Sequence, residues 1–145
     1  MSMVDVTAKP EVYREAKAKG TIQLKSETLK LIKEGKIKKG DPFEIAKVAG
    51  VLAAKNTSSL IPLCHPLPLT SVKIELQIVN NSLIEVEATV KTRAQTGVEM
   101  EALAAAATAL LTIWDMTKQY EKDAKGQYPG TSIQNLYVVH KLKEK

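Results

Sequence analysis

Cysteine is nearly absent from this sequence, since Cys64 is the only one among 145 residues. A single thiol excludes an intrachain disulfide, and it excludes zinc or iron–sulfur sites built from four cysteines of one chain. Long hydrophobic runs are also missing, because Lys, Asp or Pro interrupts each apolar stretch before the roughly 18 residues of a membrane span. The N-terminus lacks the apolar core of a secretory signal, so we expect a cytoplasmic protein without a membrane partner.

Aromatic residues are scarce, at 4% of the chain, although the net charge of +5 suits an anionic partner. Proteins that bind single-stranded nucleic acid stack bases on aromatic side chains, and the predicted strands offer almost none. Because aromatic residues are scarce, the anionic partner that we expect is a phosphorylated small molecule rather than nucleic acid.

The length, with 44% hydrophobic and 26% charged residues, predicts one globular domain over 1–145. Alternating polarity predicts strands at 20–25, 72–78, 84–90 and 133–142. Helical spacing and capping residues predict helices at 26–35, 41–56 and 97–124. The first 20 residues and the proline-containing stretch 57–69 are expected to be irregular.

The resulting order, β-α-α-β-β-α-β, predicts an α+β domain with a ferredoxin-like antiparallel sheet. Charged residues alternate with apolar ones along the strands, so we expect the helices to pack on one face only. Ferredoxin-like sheets also serve in RNA recognition, which leaves a non-catalytic nucleotide- or RNA-binding module as the alternative to an enzyme.

The basic turn before the second predicted helix has the features of an anion site. Lys38 and Lys39 precede Gly40, Asp41 and a proline at the first helical position. Free backbone N–H groups and the helix dipole would add to the lysine charge. A solvated basic turn explains the same pattern, just as dipole complementarity alone explains Lys55 at the end of that helix.

A stiff loop holds Cys64 and His65 between apolar residues and three prolines at 61–68. Stiffness suits a site, because a site must hold its groups in place. His65 could bind a substrate or move a proton near neutral pH. A structural loop with a packed cysteine is the equal alternative.

The last predicted helix carries acidic residues near both ends. Glu99 and Glu101 lie about 200° apart around the axis, so they cannot share a face. Acids favour a first helical turn, which explains Glu99, whereas Glu101 borders apolar and alanine positions. Asp115 and Lys118 are neighbours on one face and lie in an apolar stretch, which favours a tuned acid/base pair over a surface ion pair.

These two ends are too far apart for one small substrate. Glu101 and Asp115 are 14 residues apart, which is roughly 21 Å along a helix. Either only one end of the helix binds the substrate, or two such helices pack antiparallel across a two-fold axis so that opposite ends meet. The alanine run 104–107 permits a close approach of helices and favours the second arrangement.

Five segments resemble the cyclic pyranopterin monophosphate synthase family of molybdenum cofactor biosynthesis. In chain order they are MVDV at 3–6, KGD at 39–41, IPLCHPL at 61–67, TGVEMEAL at 96–103 and WDMTK at 114–118. The two longest strings are together very specific, and the matches extend to about residue 123. The chain departs from bacterial members after Gly126, where no Lys-, Ser- and Gly-rich stretch follows. It also has Gln95 where a lysine is often found.

The resemblance implies a lyase that converts 3′,8-cyclo-7,8-dihydro-GTP into cyclic pyranopterin monophosphate and releases pyrophosphate. It implies a homohexamer, a trimer of dimers, with the active site at the dimer interface. We expect no tightly bound cofactor and no metal held by the protein, although Mg²⁺ could accompany the substrate phosphates.

Site residues carry over position by position. Asp115 and Lys118 match the family's catalytic pair. The substrate-binding positions that the resemblance implies are Arg14, Lys39, Lys55, Leu63, Cys64, His65, Glu99, Met100 and Glu101. Lys39, its helix N-terminus and Arg14 would hold the triphosphate, while Glu101 and the stiff loop would bind the guanine-derived ring.

Overall fold

The computed structural model describes residues 1–145 and contains four strands and four helices. The strands are β1 (Val12–Gln23), β2 (Leu69–Ile78), β3 (Leu83–Ala94) and β4 (Ser132–Glu144). The helices are α1 (Ser26–Lys33), α2 (Pro42–Lys55), α3 (Thr57–Leu60) and α4 (Glu99–Glu121). None of the helices has both the length and the apolar character needed to cross a membrane.

The four strands form one antiparallel sheet in the order β2-β3-β1-β4. The sheet pairs β1 with both β3 and β4, so each helix-containing connection crosses over a neighbouring strand. The predicted ferredoxin-like α+β fold is therefore confirmed.

The two faces of the sheet differ in charge, as the strand pattern predicts. Every second residue of β1 and β3 is buried under α4, while α2 packs on β2. The intervening residues form ion pairs on the open face, such as Lys17 with Glu87 at 3.1 Å and Lys19 with Glu85 at 3.7 Å. Helices cover one face only, because the other face is already charged.

Small residues let α4 pack closely on its own chain. Ala105 and Ala106 are fully buried, and a side chain at Gly50 of α2 would meet the Ala105 carbonyl oxygen at 3.2 Å. Half of the alanine run that favours pairing with a second copy is therefore used inside the chain. The remaining half, Ala104 and Ala107, stays partly exposed.

Two sequence predictions about local structure are wrong. The first 20 residues are not irregular throughout, because β1 begins at Val12. Its alternation is hard to detect, since the buried positions between Val12 and Ile22 hold Arg14, two alanines and a glycine rather than large apolar residues. The stretch 57–69 is not irregular throughout either, because it contains the short helix α3. The predicted last strand is present as β4 and runs two residues past its predicted end, where Glu144 pairs with Tyr13.

The end of α4 is fixed by a buried carboxylate. Glu121 is fully buried, and its oxygens accept hydrogen bonds from the Lys25 backbone N–H at 3.1 and 3.2 Å and from the Thr131 hydroxyl at 2.6 Å. The Thr28 hydroxyl donates a further bond. One carboxylate thus joins α4 to the start of α1 and to the segment that leads into β4.

We expect Glu121→Gln to destabilise the fold by about 1–3 kcal/mol, because an amide nitrogen cannot accept these bonds and leaves buried donors unpaired. Denaturant unfolding measures the change. The exposed Glu27→Gln removes the same charge from α1 and serves as the control, with an expected effect of about 0.5 kcal/mol. Equal losses in the two variants would contradict the anchoring role.

Candidate active site

One group of predicted site residues gathers at the C-terminal half of α4. The Lys39 ammonium lies 3.1 Å from the Asp115 carbonyl oxygen and 3.3 Å from its Oδ2. Lys118, one turn further along α4, lies 3.1 Å from Oδ1 of the same carboxylate. The Asp41 side chain accepts from the Phe43 N–H at 2.9 Å, so the predicted helix cap is present beside the turn that carries Lys39.

The pKa of the Asp115 carboxylate is governed by the two neighbouring lysines rather than by burial. Its side chain is 59% exposed, although the flanking residues predict an apolar environment. Hydrogen bonds from Lys118 and then Lys39 hold the pKa of Asp115 below its usual value. Near neutral pH this group is an ionised carboxylate between two ammonium groups.

A second group lines a cleft of about 270 Å³ at the N-terminal end of α4. The loop that follows α3 contributes Leu63, Cys64 and His65, and α4 contributes Glu99, Met100 and Glu101. The N-terminal segment closes one side, because a His65 ring nitrogen lies 2.7 Å from the Val4 carbonyl oxygen.

Glu101 is the buried acid of this cleft. Only 4% of the residue is exposed, and its carboxylate makes no hydrogen bond to another residue or ion pair. Burial raises its pKa above the usual glutamate value, and the charge of Glu99 adds to the effect. Burial, followed by the charge of Glu101, also raises the pKa of the Cys64 thiol.

The structure adds Lys141 of β4 to this end of the molecule. Its ammonium lies 3.7 Å from a carboxylate oxygen of Glu99, which in turn folds closely over Gly97. Sequence reasoning misses Lys141 because nothing in the strand predicted at 133–142 indicates which residues lie near it. The pairing of β4 with β1 is what brings Lys141 close to Glu99.

Arg14 and Lys55 belong to the same end as the cleft. Arg14 is buried, and its guanidinium donates to the carbonyl oxygens of Ala94 at 3.1 Å and Gln95 at 3.3 Å. Lys55 is exposed at the end of α2, one short helix before the cleft loop, and forms no ion pair. Arg14 thus supports the strand end before α4, and it lies away from Lys39 within one chain.

Comparison with known proteins places the chain in a family. A model of the MoaC family matches residues 3–143. The chain belongs to the MoaC family.

Relatives named "probable cyclic pyranopterin monophosphate synthase" match it over nearly their whole length. The protein from Pyrococcus furiosus is 54% identical over 99% of this chain and 92% of its own. The proteins from Saccharolobus solfataricus and Sulfolobus acidocaldarius are 53% and 52% identical, over 99% and 97% of this chain and 95% and 98% of their own.

In this MoaC-family chain the two groups of site residues do not meet. The helix α4 runs unbroken from Glu99 to Glu121. Glu101 and Asp115 are therefore about 21 Å apart along its axis. One chain provides the cleft with its buried acid at one end and the lysine-flanked carboxylate at the other.

We expect Glu101→Gln to stabilise the free protein at pH 7. The raised pKa means that the folded chain binds the Glu101 proton more tightly than the unfolded chain does, so stability falls as pH rises from about 4 through the folded-state pKa. Removal of the charge should raise the melting temperature by a few degrees at pH 7 and leave it unchanged below about pH 4.

Glu99→Gln, on the same helical turn, controls for the loss of a negative charge near the helix N-terminus. Thermal melts from pH 3.5 to 8 compare the variants. A Glu101→Gln protein that melts below the wild type at pH 7 would contradict the assignment of Glu101 as a destabilised buried acid.

Proposed function

We propose that this chain is a cyclic pyranopterin monophosphate synthase, a lyase of molybdenum cofactor biosynthesis. It converts 3′,8-cyclo-7,8-dihydro-GTP into cyclic pyranopterin monophosphate and pyrophosphate. The observation that carries this proposal is the identity of 52–54% with proteins of that name over 97–99% of the chain. The arrangement of charged groups at the two ends of α4 supports it.

The lysine end of α4 suits the triphosphate. Lys39 lies just before the N-terminus of α2, which Asp41 caps. The backbone N–H groups of the first helical turn and the positive end of the helix dipole therefore lie near the Lys39 side chain. The Lys39 ammonium is partly exposed and pairs with Asp115. A phosphate that approached Lys39 would compete with that carboxylate for the ammonium and would free Asp115 to act on the substrate.

The cleft end suits the guanine-derived ring. A largely buried carboxylate with no partner in another residue is costly unless a ligand satisfies it, and the N–H groups of a guanine-derived ring can donate to Glu101. The cleft of about 270 Å³ is below the roughly 300–1,000 Å³ that is usual for small-molecule sites. It has room for the ring system but not for the ring and the triphosphate together.

The reaction needs proton transfers and one phosphoryl displacement. The substrate's 3′ oxygen attacks the innermost phosphorus, a new P–O bond closes the cyclic phosphate, and the bond to the leaving pyrophosphate breaks. Asp115 is ionised and would accept a proton, and Lys118, 3.1 Å away, would donate one and stabilise the developing charge. Opening and rebuilding the ring needs further proton transfers, in which these two groups would also take part.

Magnesium is proposed to arrive with the substrate and not as a resident metal. No three His, Cys, Asp or Glu side chains of the chain converge on one point. Mg²⁺ accepts few protein ligands when it binds to phosphates, and there it would neutralise the leaving pyrophosphate.

A second copy of the chain is proposed to complete each site. The outer surface of α2 and α4 is apolar and exposed, with Ile45, Val48, Leu52 and Leu111 in this chain open to solvent. Ala107 and Thr108 lie midway between Met100 and Asp115 on α4. A two-fold axis near that midpoint would place the cleft end of one chain beside the lysine end of its partner.

The same arrangement would let Lys39 and Arg14 serve one substrate, since they lie at opposite ends of a single chain. Assembly of three such dimers into a hexamer, and a cytoplasmic location, stay predictions.

Purified protein incubated with 3′,8-cyclo-7,8-dihydro-GTP should release one pyrophosphate for each cyclic pyranopterin monophosphate formed. Absence of both products from a folded protein would refute the proposed function.

We expect Asp115→Asn and Lys118→Ala each to lower kcat by about 100-fold or more, because each removes a proton-transferring group. Thermal stability should change little, since both side chains are exposed. Lys122→Ala, one turn beyond Lys118, is the matched control and should keep its rate. A near-normal rate in either site variant would remove that residue from the chemistry.

Mixing two inactive variants tests the shared site. Glu101→Ala and Asp115→Ala proteins should each be nearly inactive alone. When they are unfolded together and refolded, mixed dimers contain one pocket with both defects and one with neither. About a quarter of wild-type activity should then return, because half of the dimers are mixed and each has one intact pocket.

Samples refolded separately and then combined in the cold should remain inactive. Mass spectrometry confirms that mixed oligomers have formed. Mixed oligomers without activity would place both residues in one pocket of a single chain, or would exclude one of them from the site.

A further inference from the structure

The hydroxyl of Tyr120 connects α4 to the turn that carries Lys39. It accepts a hydrogen bond from the Lys38 backbone N–H at 2.8 Å, across 82 residues of sequence. Lys39 follows directly and reaches Asp115, so one helix both holds the turn and receives its lysine. Neither the Lys39–Asp115 contact nor the reaction uses the Tyr120 hydroxyl directly.

The turn has few other attachments. Lys38, Lys39 and Gly40 are exposed, and the nearby backbone bond from the Gly40 N–H to the Ile37 carbonyl oxygen is internal to the turn. Only the Ile37 side chain is buried beneath it. The Tyr120 hydroxyl is therefore the polar contact that fixes the backbone next to Lys39 relative to α4.

Tyr120 lies in a turn of α4 that is itself bonded to the start of α1. Its carbonyl oxygen accepts from the Lys25 ammonium at 3.4 Å, and the next residue is the buried Glu121 that anchors the start of α1. Both ends of the α1 region are thus attached to the last turn of α4. A tether on a fixed helix end limits the positions that the Lys39 side chain can reach.

We propose that Tyr120 is a positioning residue, whose hydroxyl holds the turn at 38–40 so that the Lys39 ammonium stays beside Asp115 and meets the substrate phosphates. This inference rests on the proposed function, in which Lys39 binds those phosphates. The tether itself is a structural claim that can be measured without turnover.

The test compares Tyr120→Phe with Tyr128→Phe. The ring of Tyr128 packs on Trp114 with centroids 5.1 Å apart, but its hydroxyl makes no hydrogen bond, so that variant removes a hydroxyl near the site without removing a tether. Both variants keep the aromatic ring. Neither residue belongs to the proposed catalytic or binding groups.

Two readouts test the tether in the substrate-free protein by NMR. The Lys38 amide should exchange with solvent faster in Tyr120→Phe than in the wild type, because its acceptor is gone. The Asp115 pKa should rise towards its usual value, in the direction that Lys39→Ala also produces, because the Lys39 hydrogen bond is part of what lowers it. Tyr128→Phe should change neither quantity.

The kinetic readout tests positioning against a general loss of stability. Tyr120→Phe should raise KM for the triphosphate substrate about threefold to tenfold, the range expected for one neutral hydrogen bond, with a smaller change in kcat. In a Lys39→Ala background the same substitution should have no further effect on KM or on the Asp115 pKa.

Each result decides the proposal. Faster Lys38 exchange, a shifted Asp115 titration and a KM effect that disappears in Lys39→Ala support it. Unchanged exchange and titration, or a KM effect that adds fully to that of Lys39→Ala, would overturn it. If the tether readouts move while the wild type makes no product, the proposed function fails and positioning for this reaction fails with it, whereas the tether stands.

Discussion

Close packing of an alanine-rich helix on the sheet and on α2 is the constraint on which the rest of this structure depends. Ala105 can lie against Gly50 because neither residue has a side chain that would hold the backbones apart. Close packing at the middle of α4 fixes both of its ends relative to the strands. The candidate site residues lie at those ends, so the position of one helix sets the geometry of both groups.

The pKa values of two carboxylates of α4 are shifted in opposite directions by their surroundings. Burial raises the pKa of Glu101, whereas Lys118 and Lys39 lower the pKa of the exposed Asp115. Divergent environments of this kind separate the roles of two acids in one site. In the proposed function, Glu101 recognises a donor-rich ring, and Asp115 transfers a proton beside a lysine that is proposed to bind phosphate.

The structure of one chain also explains why the proposed site needs two. A continuous helix separates Glu101 from Asp115, and neither Asp115 nor its two lysines line the cleft at Glu101. The exposed apolar surface around Leu111 lies between the two groups, where a second helix would bring opposite ends together. In the proposed dimer, catalytic assembly and burial of this surface are the same event, which couples activity to oligomerisation.

The sequence by itself determined three of the four helices, the strands with large apolar residues, the one-sided sheet and the short list of chemical groups, because periodicity, caps and prolines act locally. It missed the start of β1, where Arg14 and alanines carry no strong apolar signal, and it gave no sign that Lys141 of the predicted last strand meets Glu99. Only the tertiary structure decided which groups meet. The contacts of Lys39 with Asp115 and of Tyr120 with Lys38 span 76 and 82 residues, and such pairings depend on chain crossovers and packing that no local pattern encodes.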